Sequence, residues 1–208
     1  MKAKILFIFG LLTLSSHALV ITLESGFDKG VTDSIGAIIP SGSGYIGTGF
    51  FSSILDADLD NSTASVLGGD FIQFGSSAVF GFNGIGGVYQ AESDGGRIAP
   101  LSQFDGKSIY TLLGNSGTVA GSTEFIIFKH GGVNPGSFQV DDTDANAKTF
   151  VATLGADGVY LLGGPAVGVT VNVGGTNLPA IQMARAVPEP SMFLLSFLGI
   201  LGILRRKR

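Results

Sequence analysis

The sequence predicts an all-β fold, a Gly-rich antiparallel β-sandwich of which a jelly-roll-like arrangement is one form. Three observations carry this. Apolar residues alternate or run in short blocks, glycine and asparagine interrupt them at short intervals, and only residues 50–67 and 137–154 run 18 positions without Gly or Pro. Short strands with frequent turns suit a sandwich and leave little room for a long helix. The 208 residues make about one domain, and 33 of them are glycine.

The strands read as follows. Phe80 and Phe82 sit two apart and are expected to share a sheet face. Ser108 to Leu113, and Gly158 to Leu162, are short apolar runs between turn residues. Glu124-Phe125-Ile126-Ile127-Phe128-Lys129 is an apolar block flanked by charges, suited to a central strand. Val167 to Val173 alternates apolar with small or polar residues, as a half-buried strand does. Gly68-Gly69, Gly95-Gly96, Gly114-Asn115, Gly131-Gly132 and Gly174-Gly175 are the expected turns.

Both ends differ from this middle. Lys2 and Lys4 precede the apolar stretch Ile5 to Leu14, and Ser16-His17-Ala18 follows with small residues at both positions a signal peptidase reads. This is the layout of a secretory signal peptide over 1–18, cleaved after Ala18. Ten residues rise only ~15 Å as a helix, short of a ~30 Å hydrocarbon core. At the other end, Val187-Pro188-Glu189-Pro190 leads into the uncharged stretch Met192 to Leu204, which Arg205-Arg206-Lys207-Arg208 closes. The prolines fix φ and remove donors, so this stretch is expected to be extended. The stretch 192–204 reads as a short transmembrane helix, and the four basic residues as a stop that stays cytoplasmic.

This tail resembles the PEP-CTERM protein-sorting domain, with its Pro-Glu-Pro signature at Pro188, Glu189 and Pro190, its apolar helix at 192–204 and its basic end at 205–208. The resemblance implies an exported protein of a Gram-negative bacterium, processed by an exosortase-type enzyme near Pro188 to Pro190. It also implies a transient hold in the inner membrane through 192–204, a final place at the cell surface or outside the cell, and an association with exopolysaccharide. The organisation expected is a signal peptide at 1–18, an extracytoplasmic β-rich domain at 19–186 and a sorting tail at 187–208.

Composition narrows the function of the body. Six basic residues face fifteen acidic ones between 19 and 186, a net −9, which argues against nucleic acid. With no cysteine there is no disulfide, thiolate metal site or Cys nucleophile. Gly42-Ser43-Gly44-Tyr45-Ile46-Gly47 has the spacing of a dinucleotide fingerprint, but a β-like Thr48-Gly49-Phe50-Phe51 follows where a helix is needed. Apart from His17 in the leader, His130 is the one histidine, beside Gly131-Gly132, where a turn histidine is the plain reading. No serine carries the flanking glycines of a nucleophile elbow. No catalytic residue is assigned, and the chain reads as non-enzymatic.

Two acidic segments place oxygens at alternate positions, Asp56, Asp58 and Asp60 in one and Asp142, Asp144 and Asn146 in the other. Such spacing suits a calcium loop, although position six lacks glycine and position twelve lacks glutamate in both. Capping a short helix or solvating a loop is the competing use. The body is therefore expected to be structural or adhesive, with no cofactor beyond the calcium that these acids suit. The alternatives are a carbohydrate-binding module, using Tyr45, Tyr89, Tyr110 and Tyr160 as stacking platforms, and a glycan hydrolase.

Overall fold

The computed structural model describes residues 19–26, 28–94, 103–131, 137–138 and 148–188. Strands dominate, as the periodicity predicts. In chain order they are β1 (Leu19–Glu24), β2 (Gly30–Thr32), β3 (Tyr45–Phe51), β4 (Phe71–Ala78), β5 (Gln90–Asp94), β6 (Tyr110–Gly114), β7 (Glu124–His130), β8 (Lys148–Thr153), β9 (Gly158–Leu162), β10 (Gly164–Val173), β11 (Thr176–Gln182) and β12 (Ala184–Arg185). A 3-10 helix, Asp56–Asn61, lies in the first glycine-poor stretch, and α1, Ala64–Asp70, begins in it and runs on through Gly68 and Gly69.

Among the described residues the strands form sheets of three, three and six rather than two equal layers. Their orders are β5-β1-β8, β10-β11-β2 and β12-β7-β6-β3-β4, with β9 also on β7. The antiparallel expectation holds for most pairings. It fails for β1 with β8 and for β2 with β11, which run parallel, a pairing that needs a long connection between the two strands. The apolar block of β7 is central as expected: five of its first five residues are buried, β6 lies on one side, and β12 and β9 share the other.

One hydrophobic core joins the sheets. Leu19, Ile21 and Leu23 point inward from β1 at every second residue and meet the large sheet. Phe104 stacks edge-on against Phe50 and Phe74, with ring centres 5.3 and 5.2 Å apart, and Phe138 lies 5.1 Å away. Such pairs add about 0.5–1.5 kcal/mol each beyond area burial.

Two local expectations are corrected. Phe80 and Phe82 do not share a strand face, because Gly81 at φ +122° turns the chain between them; Phe80 is buried and Phe82 lies in the next turn. Gly68-Gly69 sits inside α1 rather than in a turn, since Thr63 caps that helix at the Val66 N–H and Leu67 anchors it in the core. Gly174-Gly175 is the expected hairpin turn, both at positive φ, between the paired Val173 and Thr176.

No helix among the described residues is long and apolar enough to cross a membrane. The signal segment 1–18 with Ala18, the apolar stretch 192–204, Glu189, Pro190 and Arg205 to Arg208 lie outside the described residues, as do Asp142, Asp144 and Asn146.

Candidate processing site

The chain leaves the body at the edge of the large sheet. After the β10–β11 hairpin, the Met183 N–H donates to the Thr32 carbonyl at 2.9 Å. Ala184 and Arg185 then pair with Phe125 and Glu124 of β7. The Ala186 N–H donates to Thr123 O at 3.0 Å, and the Val187 N–H to Ser62 O at 3.2 Å, in a parallel bridge between Val187 and Thr63. The stem is thus stitched to three separate segments, and Pro188, which has no N–H to offer, follows directly.

Glu124 is the polar centre of this junction. Its carboxylate is buried and accepts the Ser34 N–H at 2.8 Å and the Ser34 hydroxyl at 2.5 Å. Arg185 lies across it, with Nε 3.4 Å from Oε1, and also reaches the Ser34 hydroxyl at 3.3 Å. Gln182 Nε2 donates to the Ser34 carbonyl at 2.8 Å. A buried carboxylate needs such partners, because its desolvation would otherwise cost several kcal/mol. Sequence reasoning treated Glu124 only as a charge flanking a strand and did not single out Ser34 or Arg185. No spacing signals them, since Ser34 lies 90 residues from Glu124.

Beside the exit lies a groove of about 490 Å³, whose lining includes Ala64, Ala120, Gly121, Thr123, Ala186 and Pro188. One wall is the loop between β6 and β7, which its own hydrogen bonds hold. The Ser122 hydroxyl accepts from the Ser116 N–H at 3.1 Å and donates to Thr118 O at 2.8 Å, and Asn115 Oδ1 accepts the Thr123 N–H at 3.0 Å. The start of α1 forms the other wall.

With the stem in view, the comparison with known families is decisive for the tail. Residues 186–208 match the PEP-CTERM protein-sorting motif. The tail is a PEP-CTERM sorting signal. It implies export through the membrane-associated exosortase route, processing by an exosortase-type enzyme and a cell-surface or extracellular fate. The match covers the tail alone, and it overlaps the docked stem by its first two residues, Ala186 and Val187. No curated protein and no solved structure is significantly similar to the chain.

The other sequence-derived candidates fall elsewhere. Asp56, Asp58 and Asp60 lie within the 3-10 helix, whose N-terminus at Leu55 has no side-chain cap, so they do not cap it. The Asp56 carboxylate accepts the Tyr110 hydroxyl and the Lys129 ammonium, each at 2.6 Å. Burial alone would raise its pKa, but these two bonds hold it below the usual carboxylate range. Among the described residues no three His, Cys, Asp or Glu side chains converge as a metal site would require.

His130 is buried at the end of β7, with Nε2 2.8 Å from the Thr111 hydroxyl and its ring edge-on to Phe128. Burial lowers its pKa to about 4, so it is neutral at pH 7. Gly42 to Gly47 runs into β3 and not into a helix, so the fingerprint lacks the helix N-terminus that holds a pyrophosphate. Tyr45, Tyr89 and Tyr110 are buried in the core, which removes them as sugar platforms; Tyr160 is half-buried and packs on Phe128.

Proposed function

We propose that the mature body is a structural or adhesive component of the cell surface or extracellular matrix, released by a cut between Pro188 and Pro190. On this reading the tail is a temporary membrane handle and the body carries no catalysis. The neutral, buried His130 is in keeping with that, since a Ser-His-Asp site needs an imidazole that can reach substrate.

The observation that carries the adhesive role is the β10–β11 hairpin. No charged residue occurs from 158 to 184, although the body carries a net −9. β10 lies at the edge of its sheet among the described residues. Between Pro165 and Thr170 its register with β11 breaks, and Val167 in that bulge is 99% exposed, with Val169 at 44%. Edge strands ordinarily carry charges that discourage contact, and an apolar uncharged edge favours it. Sedimentation of the processed protein tests this reading. It predicts concentration-dependent association, or retention on cell-surface material, that Val167→Asp abolishes. A body that stays monomeric and unretained, with or without Val167→Asp, contradicts it.

A further inference from the structure

We infer that the face around the tail's exit is the surface against which the processing enzyme docks, so that the enzyme must fit the folded body to reach the Pro-Glu-Pro signature. The inference rests on the sorting reading above and adds a surface to it. Backbone hydrogen bonds hold the chain to the body as far as Val187. The apolar stretch begins at Met192. Five residue steps separate Val187 from Met192, and an extended chain covers at most ~3.6 Å per step, so the gap is at most about 18 Å. That is less than twice the ~10–12 Å thickness of one helix with its side chains. An enzyme that holds an extended substrate inside this gap has to touch the body.

The exit face suits such a contact. Its groove of about 490 Å³ is lined mainly by small uncharged residues. The two charged residues in the lining, Glu124 and Arg185, pair with each other at 3.4 Å, so the groove carries no net charge although the Arg185 side chain is exposed. On a body of net −9 this is a neutral window, so a partner approaching here does not meet the like-charge field of the rest. The wall built by Asn115 to Thr123 is already fixed by internal hydrogen bonds, so docking orders little new chain.

Pulse–chase processing of the full chain in its native host tests the assignment. Ala120 is exposed on the groove wall, so Ala120→Glu and Ala120→Lys leave the core intact, which thermal melting checks. Each is expected to slow conversion of precursor to mature protein by about tenfold. A flexible Gly/Ser insert of about ten residues between Val187 and Pro188 frees the body from the gap and restores the rate in both variants. Unchanged processing of both variants overturns the assignment, and so does equal slowing with and without the insert. Slowing by Glu but not by Lys shows that the face rests on anionic lipid and also overturns it. A wild-type chain that is never processed removes the sorting reading itself, an outcome distinct from the others.

Discussion

The backbone N–H of Val187 donates to the carbonyl of Ser62 at 3.2 Å, which makes the last residue before the Pro-Glu-Pro signature part of the folded body. A protease needs extended, unpaired chain, so this pairing sets the limit of what can be trimmed. Digestion of the full chain with a broad-specificity protease is expected to remove the tail down to about Pro188 and then stall. Mass spectrometry reads the end point, and early cuts between 180 and 187 would contradict a docked stem.

Replacing Glu124 tests the junction. Glu124→Ala leaves the Ser34 N–H without its acceptor and Arg185 without its counter-charge. The expected loss is about 2–3 kcal/mol, which lowers the melting temperature by roughly 5–10 °C in a protein of this size. Glu124→Gln, which keeps the shape and an acceptor oxygen, is expected to lose less. Thermal unfolding of the two variants separates these outcomes.

His130 predicts a dependence on pH. Burial lowers its folded pKa to about 4, against about 6.5 in an unfolded chain. Between those values the unfolded state binds a proton that the fold excludes, so stability is complete above about pH 6.5 and declines as pH falls toward 4. The full effect is about 3 kcal/mol. Urea midpoints across that window measure the slope, and His130→Gln flattens it.

Asp70 acts in a lower window. Burial alone would raise its pKa, but the hydroxyls of Ser52 and Ser53 and the N–H groups of Ser53 and Ile54 hold it far below the usual carboxylate range. Its contribution is present above about pH 3.9 and is lost as pH falls through the lower folded value. Asp70→Asn is expected to cost about 1–3 kcal/mol at neutral pH and to weaken the response to acid below pH 3.9. Denaturation curves at pH 7 and pH 3 give both numbers.

Strands built on short apolar runs are legible in the sequence alone. β6, β7 and β9 fall where the apolar runs place them. β10 forms over its alternating segment but is not half-buried as expected, because its register with β11 breaks and leaves Val167 and Val169 exposed. What stayed hidden depends on contacts between distant residues. The parallel pairing of Leu19 with Lys148 leaves no trace in either segment. The tail's destination was readable from Pro188 to Arg208 alone, whereas its docking was not. Glu124 gains its role only when Ser34 and Arg185 arrive from opposite ends of the chain. The tyrosines show the same limit, because a sugar platform and a core residue have one sequence signature, and packing put Tyr45, Tyr89 and Tyr110 inside.

The most direct test is the intact mass of the mature protein recovered from its native host. A C-terminus at Pro188 or Glu189 is the result expected if the docked stem ends at Val187 and the rest is discarded. Mature protein that still carries Leu204 and Arg208 would contradict the account.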